Sequence, residues 1–171
     1  MRDRHSVAML SGFVIPMTKR RRALAKGPSA IAIAAASSSP TIAVFSSDPS
    51  LVSLVHEVCP RAWQVESCRD PETGRDILSR PDIRMVVVDD EEIQEQLRGW
   101  LLDRVRKFAP QALLFYVAAL HSEADEKRAR SYQAQYYTSK PLDTGRTLRV
   151  LESFLQVASA RDGAADLTKR H

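Results

Sequence analysis

Met85-Val86-Val87-Val88-Asp89-Asp90 is the stretch that most constrains the fold of this 171-residue chain. Four consecutive apolar residues, three of them β-branched, read as a strand covered on both faces, and such strands lie inside parallel sheets. Two carboxylates end the run abruptly. In open α/β sheets ligands gather beyond the carboxyl ends of the strands, which makes these acids candidates for function. Carboxylates also favour the start of a following helix, where the dipole is positive. The stretch alone leaves both readings open.

The flanking residues supply the rest of a repeating pattern. Thr41-Ile42-Ala43-Val44-Phe45 is a short β-rich run, and Asp48-Pro49 then gives a cap and a first-turn proline for a helix with Leu51, Val52, Leu54, Val55 and Val58 on one face. Pro60 ends that helix, Trp63 to Ser67 alternates like a half-buried strand, and Asp70-Pro71 starts a short helix carrying Ile77 and Leu78. After Asp90, the residues Ile93, Leu97, Trp100, Leu101, Val105 and Phe108 recur at steps of three and four up to Pro110. Ala112 to Ala119 reads as another buried strand, and Ser122 with Asp125 forms a capping box for a charged, solvated helix. Tyr136 and Tyr137 mark a brief fifth strand. Asp143 or Thr144 then caps a last helix with Leu148, Leu151, Phe154 and Leu155 on one face. Five strands alternating with five helices predict a (βα)5 doubly wound parallel sheet of the flavodoxin-like kind, in three layers.

Charge divides the chain into parts. Residues 1–40 carry Arg2, Arg4, Lys19, Arg20, Arg21, Arg22 and Lys26 against Asp3 alone, whereas the remainder holds 18 basic and 20 acidic side chains. The expected organisation is a disordered basic arm over residues 1–39, a domain over 40–157 and a polar tail over 158–171. The arm reads as a solvated linker, as a basic segment touching nucleic acid or acidic lipid through Lys19, Arg20, Arg21 and Arg22, or, least well, as a secretory signal whose apolar core Ile31 to Ala36 is short. A start at Met17 fits the same pattern. No apolar run reaches the ~20 residues needed to span a bilayer. Cys59 and Cys68 are too few for a disulfide framework, and the four histidines show no metal-binding spacing. There is no glycine-rich phosphate loop or nucleophile elbow, so the chain is not expected to be an enzyme.

The order of these landmarks resembles the receiver domain of bacterial response regulators over residues 40–157. The residues that carry the resemblance are Phe45-Ser46-Ser47-Asp48-Pro49 after the first strand, Asp89 ending the third, Ala118-Ala119 ending the fourth, and Tyr137-Thr138-Ser139-Lys140-Pro141 after the fifth. The resemblance implies phosphoryl transfer from a histidine kinase, with Asp89 at the acceptor position and Lys140 at the lysine that contacts the phosphoryl group. It also implies an acidic pair holding Mg²⁺, a switch hydroxyl after the fourth strand and a mobile aromatic on the fifth.

This sequence departs from that pattern. The acidic pair is Ser46 and Ser47, the switch hydroxyl is Ala118, and Glu91-Glu92 replaces the Met-Pro loop; only Tyr137 keeps the aromatic. Neutral hydroxyls are poor ligands for a hard cation, and an alanine cannot donate the coupling hydrogen bond. The expectation is a degenerate, stand-alone receiver-like domain in the cytoplasm, with no resident cofactor and with Mg²⁺-dependent phosphorylation of Asp89 disfavoured. It would work through protein partners, either a histidine kinase or a downstream effector. Asp89 and Lys140 are expected to form an ion pair, Asp90 to start the next helix, and Tyr137 either to switch rotamer or to pack as an ordinary strand residue. Arg128, Arg130, Tyr137 and Arg146 would share the face where the family meets partners.

Overall fold

The computed structural model describes residues 39–70, 74–91 and 93–168, with side chains as far as residue 162. Lys19, Arg20, Arg21 and Arg22 lie outside the described residues, and so does the expectation placed on them. The elements alternate without exception: β1 (Thr41–Phe45), α1 (Pro49–Val58), β2 (Gln64–Cys68), α2 (Gly74–Leu78), β3 (Ile83–Asp89), α3 (Glu95–Phe108), β4 (Leu113–Ala118), α4 (Glu123–Ser131), β5 (Tyr136–Ser139) and α5 (Thr144–Thr168). All strand pairs are parallel and the sheet order is β2-β1-β3-β4-β5. This is the flavodoxin-like doubly wound order, whose switch point lies between β1 and β3. Among the described residues no helix is long and apolar enough to cross a membrane.

Side chains alternate across the sheet because a strand has a period of two. Phe45, Val86, Val88, Leu114 and Tyr116 pack on one face with Leu78 of α2, Leu101, Leu102 and Val105 of α3, and Ala129 of α4. Ile42, Val44, Met85, Val87, Phe115 and Val117 pack on the other with Leu51 and Val55 of α1 and Leu151 and Leu155 of α5. Both faces of β1, β3 and β4 are therefore dry, which is why those segments are continuous apolar runs. The amino ends of the central strands are tied by a polar cluster. The Thr41 hydroxyl donates to the buried Asp82 carboxylate at 3.0 Å, and Arg80 donates to the same oxygen at 2.8 Å.

The local start signals act as expected in three places. Asp48 caps α1 by accepting from the Ser50 N–H at 2.8 Å. Ser122 accepts from the Asp125 N–H at 3.0 Å and donates back to the Asp125 carboxylate at 2.7 Å. Asp143 accepts from the Arg146 N–H at 2.8 Å, which makes it the cap of α5 in preference to Thr144.

Two boundaries differ. Asp90 does not start a helix: α3 begins at Glu95, four residues after a bend that buries Ile93 and turns the Asp90 side chain inward. The position drawn at 157 falls inside α5, which continues to Thr168. Ala158 is buried and Asp162 pairs with Arg84 at 2.5 Å, so the helix holds the sheet beyond the point where its apolar period fades.

Candidate functional site

The carboxyl ends of β1, β3 and β5 bring one cation and three carboxylates together. Asp89, the last residue of β3, is 4 % exposed, and its Oδ2 accepts from Lys140 Nζ at 2.9 Å and from the Ser46 hydroxyl at 2.8 Å. Its Oδ1 accepts from the Glu91 N–H at 3.2 Å. Lys140 leaves the end of β5, where its own N–H donates to the Ala118 carbonyl and its bond to Pro141 is cis. The Lys140 ammonium also contacts Asp48 Oδ2 at 3.1 Å and donates to Glu91 Oε2. Ser46 orders the loop below by accepting from the Asp48 N–H at 3.0 Å.

Charge in this cluster is mutually stabilised. Burial lowers the affinity of Lys140 for its proton, but hydrogen bonds to Glu91, Asp89 and Asp48 outweigh it and hold the ammonium well above the ordinary lysine range. For Asp48, burial pushes the carboxyl up, and the hydrogen bonds from Lys140 and the Ser50 N–H bring it below its usual value.

One carboxylate oxygen from each of Asp48, Asp89 and Glu91 lies within 4.8 Å of the other two, and each of the three carboxylates contacts the Lys140 ammonium. Mg²⁺, the ion implied by the resemblance, requires a near-octahedral shell of oxygens at about 2.0–2.1 Å. Two of the expected carboxylates are here hydroxyls, Ser46 turns its proton toward Asp89, and the remaining oxygens face an ammonium. With Lys140 in place this donor set does not fit Mg²⁺.

A second polar network lies on the opposite face of the strand end. Asp90 is 1 % exposed; its Oδ2 accepts from the Tyr116 hydroxyl at 2.8 Å and its Oδ1 from the Ala119 N–H at 2.7 Å. Arg98 of α3 lies 3.3 Å from Asp90 Oδ2, donates to the Asp90 and Ile93 carbonyls, and reaches Asp125 of α4 at 3.8 Å. Burial and the neighbouring Asp90 carboxylate push the Tyr116 phenol far above its ordinary value. The sequence offered one signal for this network: a tyrosine within a buried strand needs a partner for its hydroxyl.

The remaining predicted positions are distributed as follows. Ala118 is fully buried at the end of β4 and contributes no side-chain donor. Ser47 is half-buried and makes no hydrogen bond to the cluster among the described residues. Tyr137 is half-buried, stacks on Tyr116 at a centroid distance of 5.9 Å, and places its hydroxyl 3.5 Å from both the N–H and the carbonyl of Ser122. Arg128 pairs with Asp125, Arg130 with Glu126, and Arg146 lies over the Tyr136 ring. An open cleft of about 570 Å³ lies over the ammonium cluster, walled by Asp48, Leu54, Glu91, Leu120, Lys140 and Leu142. A larger hollow of about 670 Å³ lies at the amino ends of the strands, where Arg80 is engaged by Asp82 and Glu66 and Arg84 by Asp162; none of the predicted site residues lines it.

No protein-family model and no curated protein matches the chain. Solved structures do. A response regulator receiver domain protein (CheY-like) of Methanospirillum hungatei is 15 % identical with a TM-score of 0.59, covering 71 % of this chain and 98 % of that one. A response regulator of Thermotoga maritima is 18 % identical with a TM-score of 0.58, covering 69 % and 98 %. An adenylate cyclase of Rhodopirellula baltica is 13 % identical with a TM-score of 0.60, covering 77 % and 98 %. Sequence identities this low speak to architecture, and one architecture hosts many activities. In architecture, this chain is a receiver-like domain.

Proposed function

We propose that the chain is a receiver-type signalling domain that works in the cytoplasm through contacts with protein partners, with Asp89 held as an ion-pair partner and not used as a Mg²⁺-dependent phosphoryl acceptor. The observation that carries this reading is the occupancy of Asp89 Oδ2, which already accepts from both Lys140 and Ser46. A phosphoryl group arriving there would bring further negative oxygens among three carboxylates, with a single ammonium and no acidic pair to recruit a second cation. The Ala118 methyl would then leave nothing to report the change. Contact with a partner needs none of this chemistry, only a stable surface.

Intact-mass measurement after incubation with acetyl phosphate and Mg²⁺ tests the reading, with Asp89→Asn alongside. The expected result is no phosphate-sized gain in either protein. A gain confined to the parent would show that Asp89 is an acceptor and overturn it.

A further inference from the structure

Asp89 and Asp90 are neighbours in sequence but leave the strand on opposite faces, as the period of two requires. Asp89 faces the Lys140 cluster. Asp90 faces the layer of α3 and α4, where its carboxylate accepts hydrogen bonds from the Ala119 N–H and the Tyr116 hydroxyl, both contributed by β4 and its exit, and lies 3.3 Å from the Arg98 guanidinium of α3 as an ion pair. The Asp90 N–H also donates to the Val117 carbonyl at 3.0 Å. The carboxylate and the N–H of this residue therefore meet β4 and its exit, while its carbonyl accepts from Arg98 and from the Ile93 N–H. Arg98 continues the chain of contacts to Asp125. Asp125 is paired in turn with Ser122 at the start of α4, and the Tyr137 hydroxyl lies against the Ser122 backbone.

We infer that Asp90 is the positioning residue that fixes the turn between β4 and α4 and, through Arg98 and Asp125, the start of α4 and the pose of Tyr137. Ala118, at the end of β4, has no side-chain donor, and here the Asp90 carboxylate joins the end of β3 to the end of β4. Two hydrogen bonds, one to each oxygen, and an ion pair fix the orientation of this buried carboxylate, and a buried carboxylate without them would be strongly unfavourable. The face that holds the start of α4 and Tyr137 of β5 is then presented in one arrangement whatever the state of Asp89. The inference goes beyond the proposed function and does not depend on it.

Hydrogen exchange followed by mass spectrometry on the full chain tests it, with Asp90→Ala, Asp90→Asn and, as a control at the other end of the sheet, Asp82→Ala. A positioning role predicts that Asp90→Ala speeds exchange of residues 119–139 by about tenfold or more while α1 changes by less than about threefold. Asp90→Asn, which keeps an acceptor oxygen for the Ala119 N–H but not the charge facing Arg98, falls between Asp90→Ala and the parent. Asp82→Ala shows no preference for residues 119–139. A rise spread evenly over α1 and α4 in Asp90→Ala would make Asp90 a general stabilising group and overturn the inference, as would unchanged exchange in residues 119–139. Should Asp90→Ala fail to fold, the same comparison of α1 with residues 119–139 in Asp90→Asn decides.

Discussion

Asp89→Asn isolates the charge at the centre of the ammonium cluster. Removing one partner of a buried ion pair costs about 3–5 kcal/mol when the other charge is stranded. Lys140 is not stranded here, because Asp48 and Glu91 remain in contact with it. What asparagine forfeits is the charge on three hydrogen bonds, from Ser46, Lys140 and the Glu91 N–H. It has one acceptor oxygen, so its NH₂ must face either Lys140 and Ser46 or the Glu91 N–H. Hydrogen bonds to charged groups contribute about 1.5–3 kcal/mol each and some are retained, so the expected loss is about 2–3 kcal/mol, against ~0.5 for an ordinary surface change. Lys140→Met should cost more. It leaves three carboxylates within 4.8 Å of one another, and each pair repels by about 3.5 kcal/mol at an effective dielectric of ~20. Glu91 is largely exposed, and water around it screens part of this. The net expectation is about 3–5 kcal/mol. Urea unfolding near neutral pH, followed by the fluorescence of Trp63 and Trp100, measures both. Coincident melts for Asp89→Asn and the parent, or a larger loss for Asp89→Asn than for Lys140→Met, would refute the view that one ammonium organises this end of the sheet.

Two further outcomes are expected. The Asp48 carboxyl titrates below its unfolded value, despite burial, because of Lys140 and the Ser50 N–H. Its contribution is therefore complete above the unfolded pKa of about 3.9 and is lost as pH falls through the lower folded value; thermal melts taken down through that range should show a shallower acid decline for Asp48→Asn, which still caps α1, and an identical decline would refute the assignment. At the start of α2, a Cβ on Gly74 would run into the buried Phe45 ring, so Gly74→Ala should destabilise by about 1–3 kcal/mol through overpacking, with a gain in stability by denaturant titration as the contrary result.

The three central strands were legible because both of their faces are dry: Thr41 to Phe45, Met85 to Val88 and Leu113 to Ala118 need no partner information to be read as buried. The starts of α1 and α4 were legible because Asp48, Pro49, Ser122 and Asp125 act within three residues of the turn they cap. The pairing of Asp89 with Lys140 followed from the order of landmarks, since strand ends on one side of a parallel sheet meet. The further contacts of that lysine did not. Asp48 reads fully as a cap, and it takes the loop set by Ser46 to turn its second oxygen toward Lys140. Asp90 was misread for a related reason. A carboxylate after a strand suits a helix start, and its actual partners lie 8 and 26 or more residues away on Arg98, Tyr116 and Ala119. The end of α5 was missed because residues 158–168 carry little apolar period, while the contacts of Ala158 and Asp162 with the sheet are tertiary.

The dryness of both faces of β3 has a consequence for register. In a strand with one wet face, a slip of one residue exchanges core and solvent positions and is rejected outright. From Met85 to Val88 such a slip would replace one buried apolar side chain with another at nearly every position, so apolar burial discriminates weakly among alignments with β1 and β4. The discrimination falls to the polar ends. At one end Asp82 must meet Thr41 and Arg80; at the other Asp89 must meet Ser46 and Lys140 while Asp90 meets Tyr116 and Ala119. Sliding the strand by a single residue would part Asp82 from Thr41 and leave either the Lys140 cluster or the Tyr116 and Ala119 donors without a carboxylate, so the acids that bracket β3 act as the alignment marks of the whole sheet.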